Sequence, residues 1–387
     1  MPRPARRRSS GPSPAAGRAS PDLPELILAT AGDLDRLPTS LDAELLLSTL
    51  LGSGYRRARP DRAAALDELV GTLAERAAGR LRTLLTEPDT VAPTGGYAYG
   101  DRYGDQTGYV VTFSEPEHAV VFVVDHTLGL LRDIVTVVPA ASVLDRLRAE
   151  TDEMTWSAPM ELAAVRVAVA AYLRATDLAD ELPDSEALVD NRWLAGRRLA
   201  LLPDAREPAG PAGPGEPAGA DGQERAADHA ELTAEFLAGP EARLAGLARA
   251  SGTQGEAVGY VLGLCVDFAG SRGGDPLRWS PRAVEAFLLD WVHERAVLDA
   301  QDAAALPDVL AAWVAWAGRR VGLPEPAVAA TLDRIDALRG EFARLVGTGE
   351  RQSPAVRATA QLVAEGVDLA DPAAVEEWLA AYNDANH

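Results

Sequence analysis

Lysine is missing from all 387 residues, and each of the 37 basic side chains is an arginine. Without lysine there is no Schiff base, no lysine general base and no phosphate-loop lysine, so kinase and P-loop NTPase chemistry is excluded. Cysteine is almost as scarce. Cys265 stands alone, which rules out an internal disulfide and a multi-cysteine zinc site and fits a reducing compartment. Isoleucine and asparagine fall to three each, as in a very GC-rich coding sequence. Neither HExxH nor GxSxG occurs, and Gly95-Gly96 and Gly273-Gly274 match no dinucleotide fingerprint. No run of 18 apolar residues is present to span a bilayer; the leucine-rich stretch Leu45 to Leu51 is broken by Ser48 and Thr49.

Positive charge is short overall, and it is unevenly placed. The chain carries −21, yet its first 21 residues hold five arginines and no acid, so the remainder carries −26. Pro, Ser and Gly follow those arginines where a secretory signal would need an apolar segment. Residues 1–21 read as a disordered basic tail. An acidic body repels phosphate backbones, so nucleic-acid contact is confined to weak binding through that tail. The expected location is the cytoplasm, with no membrane partner.

What is present divides into sheet and helix. Strand-length runs of β-branched and aromatic residues (Tyr97 to Asp101, Tyr109 to Phe113, Ala119 to Val124, Ile134 to Val138) with short links predict an antiparallel meander over 97–138. Ala119 to Val124, apolar on both faces, should be the most buried strand. Apolar residues at three- and four-residue steps predict helices before it, at Ser40 to Leu51 (Ser40 as N-cap, Gly52 and Gly54 as the stop) and at Asp61 to Leu85 (stopped by Glu87-Pro88-Asp89). Helices should follow at 141–149, 159–175 and 185–201, with Val165, Val169, Tyr172 and Leu173 covering one sheet face. A Pro/Gly/Ala stretch at 204–224 reads as a flexible linker. Beyond it, 225–387 reads as all helix and holds five of the seven tryptophans. The expected class is therefore α+β: an α+β domain over 22–203, a linker, and an all-α domain over 225–387. Prolines 281, 326 and 372, spaced by 45 and 46, and 307 to 354, spaced by 47, suit either a two-helix solenoid repeat or ordinary proline-started helix hairpins.

Register gives the meander a candidate site. If Ser114 to His118 turns the chain, Phe113 faces Ala119 and Thr107 faces Asp125. If the next link turns it again, Asp125 faces Arg132 and Val124 faces Asp133. Asp101 then lies beside Gln106, and Asp101, Asp105, Asp125, His126 and Asp133 gather at one end of the sheet. Carboxylates with one imidazole suit Mg²⁺, Mn²⁺ or Fe²⁺, or a general base with its orienter. Turn chemistry accounts for the same residues: Asp and Gly tolerate tight turns, and Arg102 and Arg132 would balance the acids. Neighbours on a strand also point to opposite faces, so Asp125 and His126 converge only if the strand ends between them. Elsewhere, Asp290, His293 and Glu294 at helical spacing read as a solvated face opposite Phe287, Leu288 and Trp291, and Cys265 reads as a buried structural thiol.

The wording DAELLLSTLLG, GDQTGYVV, HAVVFVVDHTLG, RDIV, DPLRWSPRAVEAFLLDWV, LPDVLAAWVAWAGRR and RQSPAVRATAQLVAEGVDL resembles a family of actinomycete proteins with no assigned activity. The resemblance covers most of the chain outside tail and linker, and implies a two-part protein without supplying catalytic or binding residues. The expectation is a cytoplasmic, non-enzymatic interaction or regulatory protein that needs no cofactor and meets a protein partner through its helical second half. The alternative is a metal-dependent enzyme or sensor built on the Asp/His cluster.

Overall fold

Four antiparallel strands, β1 (Pro93–Asp101), β2 (Gln106–Phe113), β3 (His118–Asp125) and β4 (Leu130–Val137), form where β-branched and aromatic residues concentrate. The computed structural model describes residues 22–59, 61–87, 90–204, 222–271, 275–367 and 371–386. The basic tail, residues 205–221 of the expected linker, Pro88-Asp89 and Gly273-Gly274 lie outside the described residues. A fifth strand, β5 (Thr155–Pro159), pairs with β1 and gives the order β4-β3-β2-β1-β5. Pro159 therefore ends a strand rather than starting a helix. As the alternation predicts, β3 is buried almost throughout.

Helices α1 (Leu23–Ala29), α2 (Ala31–Leu34), α3 (Ser40–Arg57), α4 (Arg62–Arg76) and α5 (Gly79–Thr86) precede the sheet; α6 (Ala140–Glu150), α7 (Leu162–Leu178) and α8 (Glu186–Ala200) follow β4. The cap of α3 is Thr39, not Ser40: its Oγ accepts from Asp42 N at 3.0 Å, and Asp42 returns the contact to Thr39 N at 3.2 Å. Gly52 and Gly54 do not stop α3. They let neighbouring helices close in, since a Cβ on Gly52 would lie 2.8 Å from the Val189 carbonyl of α8 and one on Gly54 would lie 2.8 Å from Leu69 of α4. The expected helix over 61–85 breaks at Ala77-Ala78, where the chain turns extended before Gly79 at φ +56°.

Val165, Val169 and Leu173 of α7 pack with Val120, Phe122 and Val124 of β3 in the core shared by the sheet with α1–α5, α7 and α8. Each such side chain contributes about 1.5–3 kcal/mol on burial. The other sheet face, with Val110, Ala119 and Val121, lies under α6. Two polar networks cross the first core. Asp177 accepts from Tyr55 Oη at 2.8 Å and from Arg192 Nε and Nη2 at 2.9 and 2.6 Å. Arg198 donates to Glu44 and, at 3.0 Å, to His118 Nε2.

The second half is helical: α9 (Gly222–Ala238), α10 (Pro240–Leu244), α11 (Gly252–Ser271), α12 (Pro281–Ala286), α13 (Val292–Arg295), α14 (Ala300–Arg320), α15 (Glu325–Thr348), α16 (Pro354–Ala364) and α17 (Pro372–Asn386). Its core is separate and aromatic. Trp279 and Trp313 are both buried, and both indole N–H groups donate to the Pro276 carbonyl, at 2.9 and 3.1 Å. Cys265 lies inside that core, where burial pushes its thiol pKa up. The proline rhythm does not mark helix starts throughout, because α14 begins at an Asp299 capping box and carries Pro307 in its interior. No helix among the described residues is long and apolar enough to cross a membrane.

Candidate functional site

The β1–β2 link is held by Asp101. Its Oδ1 accepts from Gly104 N at 2.7 Å and Asp105 N at 3.2 Å, and its Oδ2 from Gln106 N at 2.8 Å. Gly104 takes φ +80°, a backbone that side chains other than glycine resist. The β3–β4 link is held in the same way by Asp125, whose Oδ1 accepts from Thr127 N (2.9 Å), Thr127 Oγ1 (2.5 Å) and Leu128 N (3.2 Å). Turn chemistry thus explains why these aspartates stand where they do.

The same end of the sheet meets the second half of the chain. Asp125 is 1% exposed, and its Oδ2 accepts from Arg282 Nη1 at 2.7 Å. Burial pushes the Asp125 carboxyl up, but the hydrogen bonds from Thr127 and Arg282 and the arginine charge together hold it below its ordinary value. Asp105 lies close to Ser280, the N-cap of α12, whose Oγ accepts from Ala283 N at 2.9 Å. Burial, with the charges of Asp101 and Asp125, raises the Asp105 pKa against the pull of Ser280 and Arg282. Tyr103 Oη donates to the Ala327 carbonyl at 3.1 Å, and Arg278 lies against Gly104.

The strand does end between Asp125 and His126, yet His126, the first residue of the β3–β4 link, is engaged on β2 and α7 instead of on Asp125. Its Nε2 meets Thr107 Oγ1 at 2.8 Å and its Nδ1 meets Tyr172 Oη of α7 at 3.0 Å, with the two rings edge-on at 5.5 Å. Burial lowers its pKa, opposed by the charges of Asp101 and Asp125 and aided by that of Arg278. Asp125 and His126 therefore do not form a base and its orienter.

Asp133 does not join the cluster. The expected β1–β2 register holds, with Gly100 opposite Thr107, but the β2–β3 register is off by one and the β3–β4 register at Asp125 by two: Phe113 pairs with His118, Thr107 with Val124, and Gln106 with Asp125. Ser114 to Glu117 alone form the first link, so His118 is already in strand. On the other side Asp125 pairs with Leu130 and Val124 with Leu131, and a bulge at Arg132 sets Asp133 opposite Val123. Asp133 Oδ1 accepts from Ser185 Oγ, the cap of α8, at 2.8 Å. Among the described residues no group of three or more His, Cys, Asp and Glu is arranged to hold a metal ion. The donors themselves argue the same way: the Asp101 oxygens are committed to three backbone N–H groups, and Asp125 already faces a guanidinium.

The other candidate also separates. His293 is buried, not solvated; its Nε2 meets the Leu288 carbonyl at 3.0 Å, whereas Asp290 pairs with Arg351 at the surface. A π-helical turn over Phe287–Trp291 causes this, because its wider turn shifts the phase of the residues that follow. Arg278, Ser280 and Arg282 are the residues the sequence reading did not connect to the meander. They lie more than 150 residues from Asp125, and the one local signal was the Ser-Pro start of α12. Compared with protein-family models, with curated proteins and with solved structures, the chain matches none.

Proposed function

We propose that the chain is a non-enzymatic interaction or regulatory protein of the cytoplasm, with the helical second half as the surface that meets a protein partner. The observation that carries this reading is the employment of the polar groups at the end of the meander. Asp101 holds a hairpin turn, Asp125 holds Arg282 of the second half with Asp105 buried beside it, and both ring nitrogens of His126 are engaged. A general acid or base has to be able to reach a substrate proton, and these groups are turned inward on the chain's own partners. The reading takes no cofactor. A divalent metal is poorly served by this donor set, since Arg282 repels a second cation at Asp125 and Asp133 belongs to a different contact.

The test is cross-linking of the full-length protein, using carboxylate-directed reagents because the chain has no lysine. The expected result is one reproducible partner whose cross-links fall in residues 225–387. Cross-links confined to 22–203, or none, would overturn the reading. So would stoichiometric Mg, Mn or Fe in protein purified without chelator that is lost in the Asp125→Ala/His126→Ala variant.

A further inference from the structure

Away from the meander, the end of α3, the start of α4 and the segment entering α8 border an open cleft of about 300 Å³. Arg56, Arg59 and Arg62 line it, together with Glu181, Asp184 and Ser185. Arg62 is 1% exposed. Its Nη1 and Nη2 donate to the carbonyls of Ala179 and Asp180, and its Nε is a buried nitrogen without a hydrogen-bond partner. Carbonyls satisfy N–H groups without cancelling charge. The adjacent Asp61 is taken by Arg174 at 3.0 Å, and no salt bridge among the described residues involves Arg56, Arg59 or Arg62. A buried cation without a counter-charge is strongly destabilising until an anion joins it.

The ligand's chemistry follows from the lining. Guanidinium forks match the geometry of carboxylate and phosphate, and the N-terminal end of the 15-residue α8, capped by Ser185, adds a positive dipole. Glu181 and Asp184 call for hydrogen-bond donors on the same molecule. With Asp190 and Glu186 also nearby, the acids outnumber the arginines four to three, which disfavours a phosphate dianion and favours a carboxylate accompanied by hydrogen-bond donors. The volume stands at the lower end of the roughly 300–1,000 Å³ of small-molecule sites, so the ligand is small. We propose that this cleft binds a small organic acid that also carries an amino or hydroxyl group, its carboxylate on the arginines and its donors on Glu181 and Asp184.

Calorimetric titration of the full chain with L-glutamate, L-malate and inorganic phosphate at fixed ionic strength tests this. At least one of the two organic acids should bind saturably and more tightly than phosphate, with affinity about tenfold weaker in Arg56→Gln/Arg59→Gln, as befits lost charged hydrogen bonds. Both substituted side chains are exposed, so the unliganded thermal midpoint should not move. Arg62 is left in place because it also ties Ala179 and Asp180. Arg36→Gln, at an exposed pair with Asp33, should keep the parent affinity. No binding of either acid, tighter binding of phosphate, or an affinity indifferent to Arg56→Gln/Arg59→Gln would overturn the proposal.

Discussion

At the scale of single residues, His126 illustrates how burial rather than charge decides a side chain's role. Two carboxylates act on it to favour the imidazolium, and desolvation still lowers its pKa. An unfolded histidine titrates near pH ~6.5, so just below that pH the unfolded chain holds the proton and the folded chain does not. The contribution of His126 to stability is complete above the unfolded pKa and is lost as pH falls toward the folded one. Urea unfolding at stepped pH from neutral into the mildly acidic range should show stability falling with acid, more shallowly in His126→Gln. His293, also lowered by burial, adds a slope of the same sign, and Asp105, raised, adds one of the opposite sign. Both are common to parent and variant, so the difference between the two curves isolates His126. Identical slopes would show that the imidazole is not held as the contacts with Thr107 and Tyr172 require.

At the scale of elements, the sheet depends on glycines that sit under aromatic rings. A Cβ on Gly108 of β2 would lie 2.1 Å from the Tyr99 ring of β1, so the ring occupies the space a side chain would need. Gly108→Ala should cost about 1–3 kcal/mol by overpacking, measured by chemical denaturation. The double variant Tyr99→Ala/Gly108→Ala should fall well short of the sum of its parts, because the two residues share one volume. Much at this scale was legible in the sequence. Val120, Phe122 and Val124 announced a buried strand, the spacing of Val165, Val169 and Leu173 announced the helix that covers it, and the composition of 225–387 announced helix. The failures have local causes. A link of four residues rather than five moved the β2–β3 register by one, a link of four rather than six moved the β3–β4 register by two, of which the bulge at Arg132 recovers one, and the π-helical turn before His293 moved it from surface to core. Each is an insertion or deletion of one or two residues in a periodic pattern, which periodicity alone does not reveal. β5 was missed because Thr155–Pro159 is short and mostly exposed, and is stabilised by pairing with β1 rather than by its own pattern.

At the scale of the whole molecule, the main hydrophobic core of residues 27–202 and that of residues 236–342 are separate, and polar groups join the two halves. The join is asymmetric in charge: buried Asp125 on the sheet side is answered by Arg282 on the helical side, and Arg278 donates to the Arg102 carbonyl at 3.5 Å. In a chain of net charge −21 the alternative is repulsion, so arginines at this place act against a general tendency of the halves to separate. Arg282 is 47% exposed, so solvent and salt screen the pair. An exposed ion pair contributes on the order of 1 kcal/mol or less; the completely buried Asp125 end lifts this one toward the top of that range. Reversing the charge does more than deleting it, because Arg282→Glu sets a carboxylate against a buried Asp125 that still holds its turn through Thr127 and Leu128. The expected outcome is a larger radius of gyration by solution scattering, with far-ultraviolet circular dichroism unchanged because neither core contains Arg282. Raising salt should enlarge the parent in the same direction and leave the variant little affected, since only the parent has an attraction to screen. A variant that scatters like the parent at low salt would mean that neutral contacts such as Tyr103 on the Ala327 carbonyl hold the halves without help from the ion pair.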